Sequence, residues 1–286
     1  MVVLLSAAAV LAGYGSHVAT LIAFSFREDQ YSYIVLIPIV SLALIHRRRR
    51  VIFAQAQWAV GPGLTLIAIG LAGSALGARL WPPDSVSFLS AMTACLWLVL
   101  VGTLTLGYGT RVVRSALFPI LFLALIVPVP PRLLQGASLI LQKASCELTY
   151  LLMTLGGTPV LQKGFVLTTP ETSIQVAEQC SGIRSTLGLL IGSLVAGHLF
   201  LQSTWKRTLL ALCVIPVSIF KNAVRIVTLY WLGVRTDQRF LTGELHHYGG
   251  IPFSVLAIGI LGPLLWALRR SEMTPIVPSS PRFVRR

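Results

Sequence analysis

Apolar runs broken by short polar or basic stretches fill most of this chain, and eight of them suit bilayer crossing: residues 2–24, 31–46, 60–78, 87–107, 115–128, 183–202, 208–232 and 250–268. A helix needs about 17–25 residues to cross roughly 30 Å of hydrocarbon. The runs 31–46 and 115–128 are therefore short for a crossing. The pattern predicts an all-α polytopic membrane protein of about eight transmembrane helices.

The longest stretch without a span is 129–182. It opens on Pro128-Val129-Pro130-Pro131, which stops a helix. Residues 132–155 then set Leu133, Leu134, Ala137, Ile140, Leu141 and Ala144 against Gln135, Gln142, Lys143 and Glu147, the period of an amphipathic interfacial or re-entrant helix. Gly156-Gly157-Thr158-Pro159 ends it. Val160–Thr168 and Ser173–Ala177 alternate around Thr169-Pro170-Glu171-Thr172, which predicts a short β-hairpin. Four parts result: helices 1–5 in residues 1–128, an extracytoplasmic segment 129–182, helices 6–8 in 183–268, and a basic tail 269–286 whose prolines predict disorder.

Composition agrees with the pattern. Of 286 residues, 55% are hydrophobic and 11% charged, and the mean hydropathy is +0.80. Basic residues near span ends are retained in the cytoplasm. With Arg47, Arg48, Arg49 and Arg50 inside, alternation also puts Arg111, Arg114, Lys206, Arg207, Arg269, Arg270, Arg282, Arg285 and Arg286 inside, with both termini cytoplasmic. Glu28, Asp29, Asp84, Glu147, Glu171, Glu178, Asp237 and Glu244 fall outside, leaving Glu272 inside. The net charge of +14 is thus spread over loops by topology, and nucleic acid is not an expected partner. The first run has no basic residue before it and no clear cleavage site, which argues against a signal peptide. Cys95, Cys146, Cys180 and Cys213 have no metal-ligand spacing, so neither a metal nor a cofactor is expected.

Cys180 lies in Glu178-Gln179-Cys180-Ser181-Gly182-Ile183-Arg184-Ser185, where a polar stretch meets the sixth span. With Ser181 as N-cap and Gly182 easing the entrance, a thiolate there would be stabilised by the positive helix end and by Arg184. Arg225 lies inside the seventh span, with Asn222 and Lys221 one turn earlier on the same face. Ionisable residues within spans are functional candidates by default. His246 and His247 sit in the outer loop before Gly249-Gly250, where an imidazole could serve as general acid and base. On bare chemistry either histidine would do.

Glu178-Gln179-Cys180-Ser181-Gly182-Ile183-Arg184-Ser185, then Asn222-x-x-Arg225-Ile226, then His246 followed by Gly250, resembles the exosortase/archaeosortase family of multipass membrane cysteine transpeptidases. The resemblance is strongest over 119–268 and includes Gly164 and Ile215-Pro216. It implies Cys180 as nucleophile, Arg225 as transition-state stabiliser and His246 as acid/base, with His247 as substitute. Arg184, Asn222 and Glu178 are possible supporting residues. The implied substrates are exported proteins bearing a C-terminal sorting signal and a transmembrane helix, processed at the outer face of the cell membrane. The pattern departs from a common family form after the histidine, where Ser254 stands at a position often aromatic and Phe253 is one place early. A rival from another class is a transporter or flippase for an anionic lipid-linked substrate, lined by Arg184, Lys221 and Arg225, which leaves Cys180 without a task.

Overall fold

A computed structural model describes residues 13–177, 181–235 and 250–273. In chain order the helices are α1 (Gly15–Arg27), α2 (Leu36–Ile52, entered through a 3-10 turn at Asp29–Val35), α3 (Val60–Leu80), α4 (Val86–Tyr108), α5 (Thr110–Ser115), α6 (Leu117–Leu123) and α7 (Pro131–Leu155). Strands β1 (Leu161–Lys163), β2 (Val166–Thr168) and β3 (Ser173–Gln175) follow, then α8 (Ile183–Phe200), α9 (Thr204–Arg235) and α10 (Gly250–Met273). Six described helical segments are long and apolar enough to cross a membrane: Asp29–Ile52, α3, α4, α8, α9 and Pro252–Met273. The protein is a multi-pass, predominantly helical membrane protein. The expected span 2–24 lies half outside the described residues, and α1 is its described part.

The expected span 115–128 is corrected. Its helix is interrupted at Ala116, resumes for Leu117–Leu123 and closes in a 3-10 turn at Ala124–Ile126, too short to cross alone. Leu117–Ile126 and Pro131–Leu155 are long and apolar enough to cross only as a pair, bent by 94°, which would make a seventh span. The bend is a proline corner in which the Pro128 and Val129 carbonyls accept from side chains. Ser90 donates to the Pro128 carbonyl and Tyr31 to that of Val129, both at 2.8 Å.

Two compact units divide the chain at Gly136/Ala137. In the first, Gly63, Gly70 and Gly77 recur every seven residues and let α3 lie directly against α4. A Cβ at Gly70 would stand 2.6 Å from the Val99 side chain, and one at Gly63 2.7 Å from the Leu106 backbone. Ile52, Val101, Val112, Ala116 and Ile120 form a core in this unit, and Leu64, Ile69, Leu71 and Leu76 are exposed along α3 as a lipid-facing surface requires.

In the second unit α8, α9 and α10 run antiparallel in sequence. At one end Leu201, Leu210, Val214 and Leu261 pack together. There the Glu272 carboxylate accepts the Gln202 and Ser203 backbone N–H groups at 2.8 and 2.9 Å, capping the start of α9. Lys206 donates to Ser271 at 2.8 Å and lies 3.8 Å from Glu272. Arg269 and Arg270 cover Phe200 and Trp266, the aromatic and basic mixture of a membrane interface. The opposite end carries the sheet and the entrance to α8. Cys146 and Met153 of α7, Leu167 and Val176 of the sheet segment, and Ile226 and Tyr230 of α9 form its core.

The expected hairpin is a three-stranded antiparallel sheet, β1-β2-β3. Val160–Thr168 was expected as one strand but folds into two, because Gly164 takes φ +62° and reverses the chain between Lys163 and Val166. The second turn is closed by Thr169, whose N–H and hydroxyl both donate to the Thr172 carbonyl at 2.9 Å. On α7 the side turned into the protein is mixed: Ser138, Gln142, Ser145 and Thr149 are buried together with Leu134, Leu141, Cys146 and Met153, whereas Leu133, Leu139 and Ile140 are exposed.

Candidate functional site

Glu178 and Cys180, with the Gln179 between them, lie outside the described residues, as do His246 and His247. Their flanks are described. Before Cys180, the Val176 N–H donates to the Phe165 carbonyl at 2.9 Å, and the Val176 carbonyl accepts from Gln142 Nε2 at 2.6 Å. After it, Ser181 is buried and its hydroxyl pairs with that of Ser138 at 2.8 Å. Ser138 and Gln142 are one turn apart on α7. One face of that helix therefore tethers the chain on both sides of the candidate nucleophile.

The residue capping α8 is Gly182, not Ser181 as expected. Gly182 adopts φ +74°, a left-handed conformation that disfavours any side chain, and Ser181 sits one place earlier with its hydroxyl accepting the Ile183 N–H at 3.4 Å. The Gly182 carbonyl accepts from the Ser185 hydroxyl, the Thr186 hydroxyl and the Thr186 N–H, each at 2.9 Å. A Cβ on Gly182 would lie 3.5 Å from the Asn222 carboxamide. Lys221, also buried, donates to Ser185 Oγ. The turn of α9 that carries Lys221, Asn222 and Arg225 is thus packed against the turn that follows Cys180.

Arg225 is half-buried one turn beyond Lys221, and Arg184 is exposed on α8. Neither α8 nor α9 contains an aspartate or glutamate. The ionisable side chains that α9 carries on this face, Lys221 and Arg225, are thus both basic. Further along α9, the buried Tyr230 hydroxyl donates to Glu171 at 3.0 Å and ties the β2–β3 turn to the helix. That hydrogen bond is the leading cause holding the Glu171 carboxyl below the usual carboxylate range.

The chain direction brings the described residues that flank the candidates to one end of the second unit. α8 leaves that end and reaches Phe200. α9 returns to it at Arg235, and α10 departs from it at Gly250, four residues after His246. The segment bearing His246 and His247 is anchored by Arg235 and Gly250 at the same end as Ser181.

Sequence reasoning did not single out Ser138, Ser185 and the inward use of Gln142. Their signal was a row of small polar residues within otherwise apolar helices. The sequence groups Gln142 with Gln135, Lys143 and Glu147, which are exposed.

The transmembrane exosortase family matches residues 20–262, a stretch that includes positions 180, 225 and 246. The chain belongs to that family. No match was found among curated proteins or among solved structures. The match begins within α1 and ends within α10, so this exosortase-family chain shares more than the three candidate positions and their motifs.

Proposed function

We propose that this exosortase-family protein is a membrane thiol transpeptidase that cleaves C-terminal sorting signals of exported proteins through an acyl-enzyme on Cys180. The observation that carries the reading is the packing of Lys221 and Asn222, one turn before Arg225 on α9, against Ser185 and Gly182 at the mouth of α8.

In this reading a substrate held in the bilayer by its own helix enters laterally and offers a peptide carbonyl to Cys180. The thiolate attacks the carbonyl carbon, and Arg225 stabilises the oxyanion, an effect worth about 3–4 kcal/mol for one well-placed donor. His246 protonates the departing amine as the C–N bond breaks and a thioester forms. An acceptor amine or water then attacks the thioester, with His246 taking its proton and the thiol regenerated. The site faces the extracytoplasmic side, since the substrates are exported and the basic loops mark the opposite face.

The test is replacement of Cys180 by alanine in cells that export a tagged substrate. Uncleaved substrate should accumulate while the variant reaches the membrane at normal level. Normal processing by Cys180→Ala would sink the reading and leave the rival transporter or flippase, which gives the thiol no role.

A further inference from the structure

We propose that the end of the first unit where Arg47, Arg48, Arg49 and Arg50 of α2 meet Arg111 and Arg114 of α5 is a docking surface for the headgroups of anionic phospholipids. The proposal is independent of the reading of Cys180.

The six arginines are far apart in sequence and are brought together by packing, and all are exposed. Ile52 of α2 shares a buried core with Val112 and Ala116 of α5, and Ile45 packs against it. Arg48 stands one turn from both Ile45 and Ile52, so it lies on the face of α2 turned toward α5. The segment between α2 and α3 fixes this end. The Phe53 and Tyr108 rings meet edge to face at 4.8 Å, and the Gln57 N–H donates to the Tyr108 carbonyl at 3.0 Å. Gly109, at φ +88°, lets the same segment pass: a Cβ there would stand 2.1 Å from the Gln57 carbonyl oxygen. The ends of α2 and α4 and the start of α5 are thereby held side by side.

Like charges gathered in this way repel unless anions lie among them. The adjoining sequence supplies none, since no aspartate or glutamate occurs in 30–83 or 85–146. The basic end of the second unit is built differently. There Lys206 lies 3.8 Å from Glu272, Arg207 donates to the Leu201 carbonyl at 2.7 and 2.9 Å, and Arg269 and Arg270 cover aromatic rings. The surroundings of the first cluster decide which anion suits it. It lies at the end of helices long and apolar enough to cross a bilayer, and Leu42, Val51, Trp58, Val60 and Leu64 are exposed around it. Leu42, His46 and Arg49 follow one another at i, i+4 and i+7, so apolar surface passes into guanidinium along one stripe of α2. A phospholipid matches that order, with acyl chains along Leu42 and Leu64 and a phosphate beside the arginines, whose forks take phosphate oxygens in pairs. Trp58 supplies a ring at headgroup level. A soluble anion or an acidic protein would leave the apolar half of this surface unused.

The test titrates the full chain, delipidated in a nonionic detergent, with dioleoyl phosphatidylglycerol or dioleoyl phosphatidylcholine and counts bound lipid by native mass spectrometry. The two probes share acyl chains and differ in net charge. Wild type should bind phosphatidylglycerol about tenfold or more tightly than phosphatidylcholine, with the preference fading as ammonium acetate is raised. Arg48→Gln, Arg111→Gln and Arg114→Gln should each weaken phosphatidylglycerol binding about fivefold and leave phosphatidylcholine binding unchanged. Each leaves the other arginines of the cluster in place to hold the topology. Where one of them unfolds in detergent, the lysine substitution at that position decides, with a smaller loss expected because the charge stays and the fork goes. Arg269→Gln, in the second unit, should change phosphatidylglycerol binding little. Equal affinity of wild type for the two lipids overturns the inference, as does a loss in Arg269→Gln as large as in the three cluster variants. Displacement of phosphatidylglycerol by inorganic phosphate at equal concentration would assign the cluster to a soluble anion and overturn it too.

Discussion

Arg225 and Lys221 stand one turn apart on the same face of α9, yet their surroundings differ. Lys221 is engaged through Ser185, while Arg225 lies one turn nearer the sheet, beside Ile226 in the core that includes Tyr230. Removing the charge at Arg225 should therefore affect turnover rather than assembly. Arg225→Gln is expected to lower the cleavage rate by about 10²–10³-fold at unchanged membrane level, and Arg225→Lys to recover only part of it, because a lysine lacks the planar fork. Immunoblot quantification of cleaved against uncleaved substrate checks both. Paired His246→Ala and His247→Ala variants in the same assay decide between the histidines, with loss expected for His246→Ala alone.

Glu171 and Tyr230 give a pH signature at the same scale. The folded-state pKa of Glu171 is depressed, chiefly by the Tyr230 hydroxyl. Its contribution to stability is then fully present above the unfolded value of about 4.3 and is lost as pH falls through the lower folded value. Thermal unfolding in detergent should show Tyr230→Phe less stable than wild type at pH 6, with the gap closing as the carboxyl is protonated. An equal gap at pH 6 and at strongly acidic pH would contradict the coupling.

Among the elements, α7 holds Val176 and Ser181, which lie on either side of the candidate nucleophile in sequence, while Glu272 locks the far end of the α8–α10 bundle. Gln142→Leu leaves the buried Val176 carbonyl without its donor, at a cost of about 1–3 kcal/mol. That substitution should reduce cleavage by disturbing the approach to Cys180. Glu272→Gln weakens the cap on α9 and should lower thermal stability while leaving the cleavage rate per folded molecule near normal. In the first unit Gly70→Val drives a side chain into Val99, costing about 1–3 kcal/mol by overpacking. Lower protein abundance, rather than altered cleavage by the surviving molecules, is the expected result.

At the scale of the whole molecule the charge pattern requires an odd crossing between Arg114 and α8 if Cys180 is to face away from the basic loops. The bent pair of α6 and α7 is the element able to make it, half as Leu117–Ile126 and the rest beyond the proline corner. An impermeant maleimide should label Lys163→Cys from outside intact cells, and Arg49→Cys only after permeabilisation, in a background without the native cysteines. Labelling of both from the same side would refute this topology.

The long spans were legible because an uninterrupted apolar run of sufficient length has few alternatives in a bilayer. The interruption at Ala116 and the reversal at Gly164 were not, since each depends on one local dihedral choice inside a run of uniform character. On α7, Gln135, Lys143 and Glu147 of the expected polar face are exposed, but Gln142 is buried, because its amide meets the Val176 carbonyl. Cys180, Arg225 and His246 stood out as polar residues in an apolar chain. What the apolar pattern did not show is the reversal of α8 by α9, with Asn222 and Lys221 meeting Gly182 and Ser185 across it.

The covalent intermediate offers the most direct test. Wild-type protein co-produced with an exported substrate should be quenched in acid, digested and examined by mass spectrometry for the peptide containing Cys180. The expected result is that peptide bearing the substrate's upstream fragment as a thioester, removable by hydroxylamine and absent from Cys180→Ala. Cleaved substrate alongside an unmodified Cys180, with cleavage continuing in Cys180→Ala, would contradict the assignment of this residue as the nucleophile.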